Sequence, residues 1–408
     1  MRAAPRALGL CALLAASAQG AARCTAPHVR HAARWRTRAA WTAVPTVGPA
    51  PAERARDGEG GAVERPARLA RAARAAEALW NFTRPHTLIG SAMSIPALHL
   101  FAAPAGVPLP WSALGRSIAF VLAPSLLINV YIVGLNQVLD ISADKINKPY
   151  LPLAKGEFSR EQGIAICVAC LVVGLALGFA PATPLASAPL KATLLGSTLL
   201  GTAYSMPPLR LKRFPLLASL CITSVRGALV NWGFFAHAAS VVYGLGAPSS
   251  SAAAAAAAFR CGCATAFFLL FGVVIALLKD IPDVAGDRAV GTATYSLRFG
   301  RARVFAVATA LLQLAYAAVA LALGAAAVSG LAAAGGAAGA FASAGAGGTA
   351  ALTALRRIAG SIIALAFAGW LRARAATVRV DMPDEVYAFY MRCWALFYAS
   401  YAWLPLAR

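Results

Sequence analysis

Acidic residues are scarce in this chain: 15 Asp and Glu stand against 37 Lys and Arg in 408 residues, for a formal charge of +22. Charged residues of both signs make up only 13% of the sequence, about half the share of an ordinary soluble domain. Apolar residues fill the space, at 60% hydrophobic and a mean hydropathy of +0.67. That balance argues against a soluble protein. It also argues against nucleic acid as a partner, because a basic excess binds nucleic acid only when it dominates an exposed surface. The chain reads as a polytopic membrane protein with lipid around it. A paired cysteine framework is missing too. The eight cysteines (11, 24, 167, 170, 221, 261, 263 and 393) show neither disulfide-type spacing nor a Cys/His zinc pattern. Cys167 and Cys170 sit one turn apart in an apolar run and read as small packing residues.

The first carboxylate is Glu53. Before it, residues 1–20 have a basic start, a short apolar stretch and small residues near their end, the layout of a secretory signal and too short to span a bilayer. Residues 21–52 carry Arg23, Arg30, Arg34, Arg36 and Arg38 with no acid, which is transit-peptide composition. Signal followed by transit segment is what a plastid reached through the secretory route requires; a single transit peptide is the simpler alternative. Residues 53–78 read as a linker or surface helix, so the expected domains are a targeting presequence with its linker over 1–78 and a membrane domain over 79–408.

Windows of about 20 apolar residues predict helical spans near 86–103, 116–138, 163–180, 186–204, 215–236, 262–279, 303–324, 353–371 and 386–406. The fold class is all-α, a bundle of about nine transmembrane helices. Residues 325–350, almost wholly Ala, Gly and Ser, read as a flexible loop. The loops after the second, fourth, sixth and eighth spans are all charged, beginning with "DISADKINKPYLPLAKGEFSRE" and "PPLRLKRFP", whereas the intervening ones are nearly uncharged. Lys and Arg therefore mark one face, cytoplasmic or stromal by the positive-inside rule.

Between His86 and Val380 the chain has seven acids: Asp140, Asp144, Glu157, Glu161, Asp280, Asp283 and Asp287. Five of them form two Asp clusters, after the second and sixth spans, hence on the same face. Asn136, Asp140 and Asp144 are spaced i, i+4, i+8, one stripe of a helix. Asp280, Asp283 and Asp287 also share a face, although Pro282 and Gly286 imply a bent or broken helix end. Carboxylates this close repel one another unless cations intervene. Dense oxygen ligands suit Mg²⁺, which is commonly shared between carboxylates and substrate phosphates. Two facing clusters would then grip a diphosphate through metal, with Arg84, Lys148, Lys155, Arg210, Lys212, Arg213 and Arg288 available to its oxygens. Arg226 differs in interrupting the apolar fifth span, where an Arg should face the bundle interior and meet an anion; Asn231 and His237 are candidates to share its surroundings. An ion-coupled transporter would use the same acids as cation sites, but it predicts acids deeper in the spans, where there are none.

"NQVLDISAD" with "KINKPYLPLAKGE" and then "KDIPDVAGD" resembles the intramembrane prenyltransferases of the UbiA superfamily, and within it the plastid homogentisate prenyltransferases. "RPHTLIG", "YIVGLNQ", "AYSMPPLRLKRFP", "VVIALLKDIPD" and "CWALFYASY" carry the same resemblance, which covers about residues 80–406. It implies nine helices around a central cavity. It also implies that Asn136, Asp140, Asp144, Asp283 and Asp287 hold Mg²⁺ and a prenyl diphosphate, with Asp280 nearby and Arg84, Lys212 and Arg213 on the diphosphate. The implied reaction is prenyl transfer to homogentisate with loss of carbon dioxide, in tocopherol or plastoquinone synthesis. Chlorophyllide, 4-hydroxybenzoate and naphthoate are alternative acceptors on the same fold. Ala143 and Ala285 stand where relatives often have a larger or acidic residue.

Overall fold

The computed structural model describes residues 60–104, 107–180, 183–333, 336 and 346–407; the expected presequence lies outside them. Among the described residues the secondary structure is helical throughout. A first helix, α1 (Gly60–Phe82), covers part of the expected linker, and α2 (Pro85–Phe101), α3 (Trp111–Leu139), α6 (Arg160–Gly178) and α7 (Ala188–Ser205) coincide with the first four expected spans. The short helices α4 (Ile141–Asn147) and α5 (Pro152–Lys155) lie between α3 and α6. The fifth span is composite: α8 (Pro215–Thr223) passes through a π-helical turn at Ser224–Leu229 into α9 (Val230–Val241). Then come α10 (Ala252–Lys279), the short α11 (Val284–Ala289) and α12 (Tyr295–Phe299), and the long α13 (Arg301–Ala333), α14 (Ala346–Ala375) and α15 (Pro383–Trp403).

Among the described residues six stretches are long and apolar enough to cross a membrane: α3, α6, Pro215–Val241, α10, α13 and Ala350–Ala375. The helices α2, α7 and α15 are not among them. The outward faces of the long helices are greasy, with Leu314, Leu321 and Val328 each about two-thirds exposed or more. Water would penalise such a surface, and lipid does not.

Side-chain contacts show which loops share an end. Lys212, after α7, pairs with Asp140 after α3; Lys148, between α4 and α5, pairs with Asp283 after α10. Arg301, at the start of α13, donates to the carbonyl of Asp381 before α15 at 3.3 Å. All four charged loops thus meet at one end of the bundle, as alternation of charge predicts. At the other end, Tyr243 donates to the carbonyl of His99 and Arg260 to that of Ala103.

Aromatic residues of α10, α13 and α15 hold the middle. Phe268 stacks on Tyr401 with ring centroids 3.9 Å apart, and Tyr316 of α13 shares a 2.7 Å hydrogen bond with Ser400. Close approach needs glycine at Gly227, where a Cβ would fall 2.6 Å from the Cα of Leu269 in α10.

Two expectations are corrected. The supposed loop over 325–350 is entered by helix from both sides, α13 reaching Ala333 and α14 starting at Ala346. Alanine is the strongest helix former, and the two helices bond along their length, Arg357 to the Ala326 carbonyl and Ser361 to that of Ala320, each at 2.8 Å. The Asn136–Asp140–Asp144 stripe is not one helix. It breaks at Asp140 (φ −116°, ψ 18°) between α3 and α4, although the Asp144 amide still donates to the Asp140 carbonyl.

Candidate active site

A cavity of about 250 Å³ opens among α2, α3, α7, the α8–α9 span, α10 and α15. The break at Asp140 and the end of α10 at Lys279 bring both Asp motifs to its mouth. Asn136, Asp140, Asp144, Asp280, Asp283 and Asp287 all line it, as do Arg84, Lys148, Lys212 and Arg226.

Asp140 is a hub: it accepts from Asn136 Nδ2 at 2.9 Å, from Arg210 at 3.3 Å and from Lys212. Burial draws Lys212 below the usual lysine range, an effect that Asp140 opposes. Asp144 is buried, with Arg84 Nη2 at 3.8 Å, and its Oδ2 lacks a hydrogen-bond partner among the described residues. Burial raises its pKa, Arg84 and Lys148 oppose that, and Asp140 and Asp283 add to it. Across the mouth, Asp283 takes Lys148, and Asp280 takes Lys279 at 2.9 Å. Among the described residues Asp287 has no ion-paired base of its own, and Lys279 and Lys148 only partly offset its surroundings. Burial and then the charges of Asp280 and Asp283 push it up to about 7.

The two motifs are tied together directly. Asn147 Oδ1 accepts from the Gly286 amide at 2.8 Å, so close that a Cβ on Gly286 would fall 2.5 Å from the Asn147 carboxamide. Arg84 (φ 49°) and Arg210 (φ 36°) are the positive-φ residues other than glycine among those described, and each faces an Asp of the first motif. Strained backbone held this way is characteristic of functional sites.

Arg226 stands farther in, on the π-helical turn. Its guanidinium lies 4.7 Å over the Trp394 ring and has no ion pair or side-chain hydrogen bond among the described residues. Asn231 supports that turn, donating to the carbonyls of Arg226 and Gly227 at 2.9 Å and accepting from Tyr401 at 3.0 Å. His237 does not share this place. It sits in a buried chain running His99, Ser117, His237, Ser187 with contacts of 2.8 to 3.1 Å.

One expected residue is misplaced. Arg213 is exposed and stacks over Phe214 at 5.0 Å, outside the cavity wall. The Leu211–Arg213 segment is a single 3₁₀ turn, and with Lys212 directed at Asp140 its successor points away. Lys155 pairs with Glu157 in solvent, and Arg288 is exposed. Sequence reasoning missed Tyr204, which accepts from Lys279 at 3.0 Å, and a polar patch in which Asn129 bonds Thr87 at 2.9 Å and Ser91 at 3.0 Å. Asn129 inside an apolar span was the available signal.

The profile described as the UbiA prenyltransferase family matches residues 92–399. The chain belongs to that family. As a UbiA prenyltransferase it is 36% identical over 334 residues to homogentisate phytyltransferase 1, chloroplastic, of Arabidopsis thaliana, covering 81% of this chain and 75% of that protein. It is 37% identical over 340 residues to homogentisate geranylgeranyltransferase of Triticum aestivum, covering 81% and 72%. The solved structure of a UbiA homologue from Archaeoglobus fulgidus bound to GPP and Mg²⁺ has a TM-score of 0.49 at 16% identity, over 81% of this chain and 100% of that one. That likeness is too distant to carry ligands across.

Proposed function

We propose that this UbiA prenyltransferase moves a prenyl group from a prenyl diphosphate to homogentisate, with loss of the carboxyl group as carbon dioxide, at a plastid membrane it crosses nine times. The observation that carries the reading is the layout of the cavity. Two acidic motifs and their bases crowd one end, and an unpaired guanidinium waits deeper in. Relatives named for homogentisate, some of them chloroplastic, support the acceptor and the compartment.

The residues present fit Mg²⁺. Asp144 Oδ2 is a buried oxygen without a hydrogen-bond partner among the described residues, and Asp287 is a carboxylate repelled by two neighbours. No three acidic, His or Cys side chains among the described residues converge on one point, which suits metal shared with phosphate oxygens better than a closed cage. Asn136, Asp140 and Asp144 on one side and Asp283 and Asp287 on the other would hold it. Bound there, Mg²⁺ supplies charge that makes diphosphate a leaving group.

At the mouth five acids (Asp140, Asp144, Asp280, Asp283, Asp287) face five bases (Arg84, Lys148, Arg210, Lys212, Lys279). Arrival of a multiply charged diphosphate unbalances this set and pulls Lys148 and Lys212 from carboxylate to phosphate. The apolar wall beyond, with Ile128, Ile132, Leu194, Leu200 and Ile275, keeps water from the allylic cation. Arg226 takes the acceptor's carboxylate and sets the ring between itself and that cation. A transporter would need acids along the path, yet every acid lining this cavity lies at its mouth.

The test is a membrane assay with labelled homogentisate and Mg²⁺ against phytyl, geranylgeranyl and solanesyl diphosphates, with products identified by mass. The expected result is a prenylated methylquinol, released carbon dioxide and no turnover in EDTA. Transfer to chlorophyllide, 4-hydroxybenzoate or naphthoate with none to homogentisate overturns the acceptor.

A further inference from the structure

His86 is the histidine of the cavity wall, and the function proposed above leaves it without work. It stands two residues after the strained Arg84, so its backbone is set by the start of α2. Tyr398 of α15 donates to its carbonyl at 2.6 Å. The imidazole is walled by two further α15 side chains, edge-to-face with Trp394 at 5.2 Å and with Tyr390 at 6.4 Å. Neither ring nitrogen has a hydrogen-bond partner among the described residues. An imidazole so firmly oriented and yet unbonded has its lone pair available to whatever enters the cavity.

Its position is specific. Trp394 contacts both the His86 ring and the Arg226 guanidinium, so the two lie on one indole. The carboxylates of the cavity are all at the mouth, where four of the five have an amine or guanidinium against them. His86 is therefore the neutral nitrogen base on the acceptor's side.

We infer that His86 is the proton shuttle of the reaction, taking the proton from the ring carbon that is alkylated and returning it to the side-chain carbon that loses carbon dioxide. The inference rests on the function proposed above. The atoms balance. The prenyl C–O bond breaks with its electron pair leaving on diphosphate, and the ring carbon bonds to the prenyl carbon. That ring carbon gives its proton to imidazole and aromaticity returns. The bond between the side-chain methylene and the carboxylate breaks, carbon dioxide leaves, and the imidazolium protonates the methylene to a methyl group. One proton leaves carbon and one arrives, so no external acid, base or oxidant is needed. With the carboxylate at Arg226, the methylene beside it would lie near the indole that His86 also packs against.

The experiment uses the full-length chain in membranes and homogentisate deuterated at its ring positions. The wild type is expected to carry part of the deuterium lost from the ring into the product's methyl group. His86→Gln, which keeps size and polarity without the basic nitrogen, is expected to lower kcat ~10²-fold or more, leave the KM for homogentisate within about twofold, and abolish that deuterium transfer. Donor-only diphosphate release should persist, which separates the loss from misfolding; His86→Asn with retained release serves if Gln disturbs the fold. Wild-type kcat in His86→Gln, or a wild-type product methyl free of ring deuterium, overturns the shuttle. A wild type that turns over a different acceptor and never homogentisate overturns the functional reading first, and this inference with it.

Discussion

The two acidic motifs reach the same cavity mouth but are neutralised differently. In the first, Asp140 gathers Asn136, Arg210 and Lys212, and Asp144 has Arg84, so bases from two other segments converge on it. In the second, Asp280 has its own chain neighbour Lys279 and Asp283 borrows Lys148 from across the mouth, while Asp287 has no ion pair among the described residues and is only partly offset by Lys279 and Lys148. The first motif is thus part of a built network, and the second ends in a charge that something else must satisfy. On the function proposed above, the difference separates the side that organises the bases from the side that would take metal: loss of a hub carboxylate should damage the geometry of several bases at once, and loss of Asp287 should chiefly cost metal affinity.

Replacing the hub tests this most severely. Asp140→Ala is expected to reduce diphosphate release ~10³-fold, since it frees Lys212, Arg210 and Asn136 together; membrane insertion should be unchanged, and retained turnover would return the motif to an ordinary solvated loop. Asp287→Asn is expected to show a smaller loss, largely restored by raised Mg²⁺. If added metal rescued Asp140→Ala equally well, the contrast between the motifs would vanish.

Arg226→Gln comes next in size. An unpaired guanidinium facing a carboxylate in an apolar cavity is worth at least ~2 kcal/mol, so the KM for homogentisate should rise ~30-fold while donor-only diphosphate release stays the same. Unchanged acceptor affinity would remove Arg226 from the acceptor site.

Adjacent bases sharpen the picture on a finer scale. Lys212→Ala should lower donor turnover ~10-fold, whereas Arg213→Ala, exposed over Phe214, should stay within about twofold of wild type. Equal losses would mean that the 3₁₀ turn presents both side chains to the diphosphate.

This pair also marks where the sequence stops being informative. Charge alternation placed four loops at one end because topology depends on loop composition alone, and the Asp motifs were conspicuous because acids are otherwise scarce. Which of Lys212 and Arg213 points inward depends on one 3₁₀ turn, and two adjacent basic letters carry no such direction. The helical reach into 325–350 was hidden for another reason: Ala and Gly in one stretch pull opposite ways, and packing between α13 and α14 decides. His86 was hidden by its distance in the chain from Trp394 and Arg226, which only the fold brings to it.

The smallest effect is a shift with pH, and it isolates Asp287. Its folded-state pKa of about 7 lies above the ordinary carboxylate value of 3.8, so the folded chain retains a proton that the unfolded chain has already lost. Its contribution to stability is therefore fully present below about pH 4 and is lost as pH rises through about 7. Without divalent metal, the thermal midpoint of the wild type should fall more steeply between about pH 5 and pH 8 than that of Asp287→Asn. Mg²⁺ reverses the sign of the demand, because it needs the ionised carboxylate: its apparent affinity should rise with pH up to about 7 and then level off. Superimposable pH curves for the two proteins, with and without Mg²⁺, would mean that Asp287 is as well neutralised as Asp140, and the two motifs would then be equivalent.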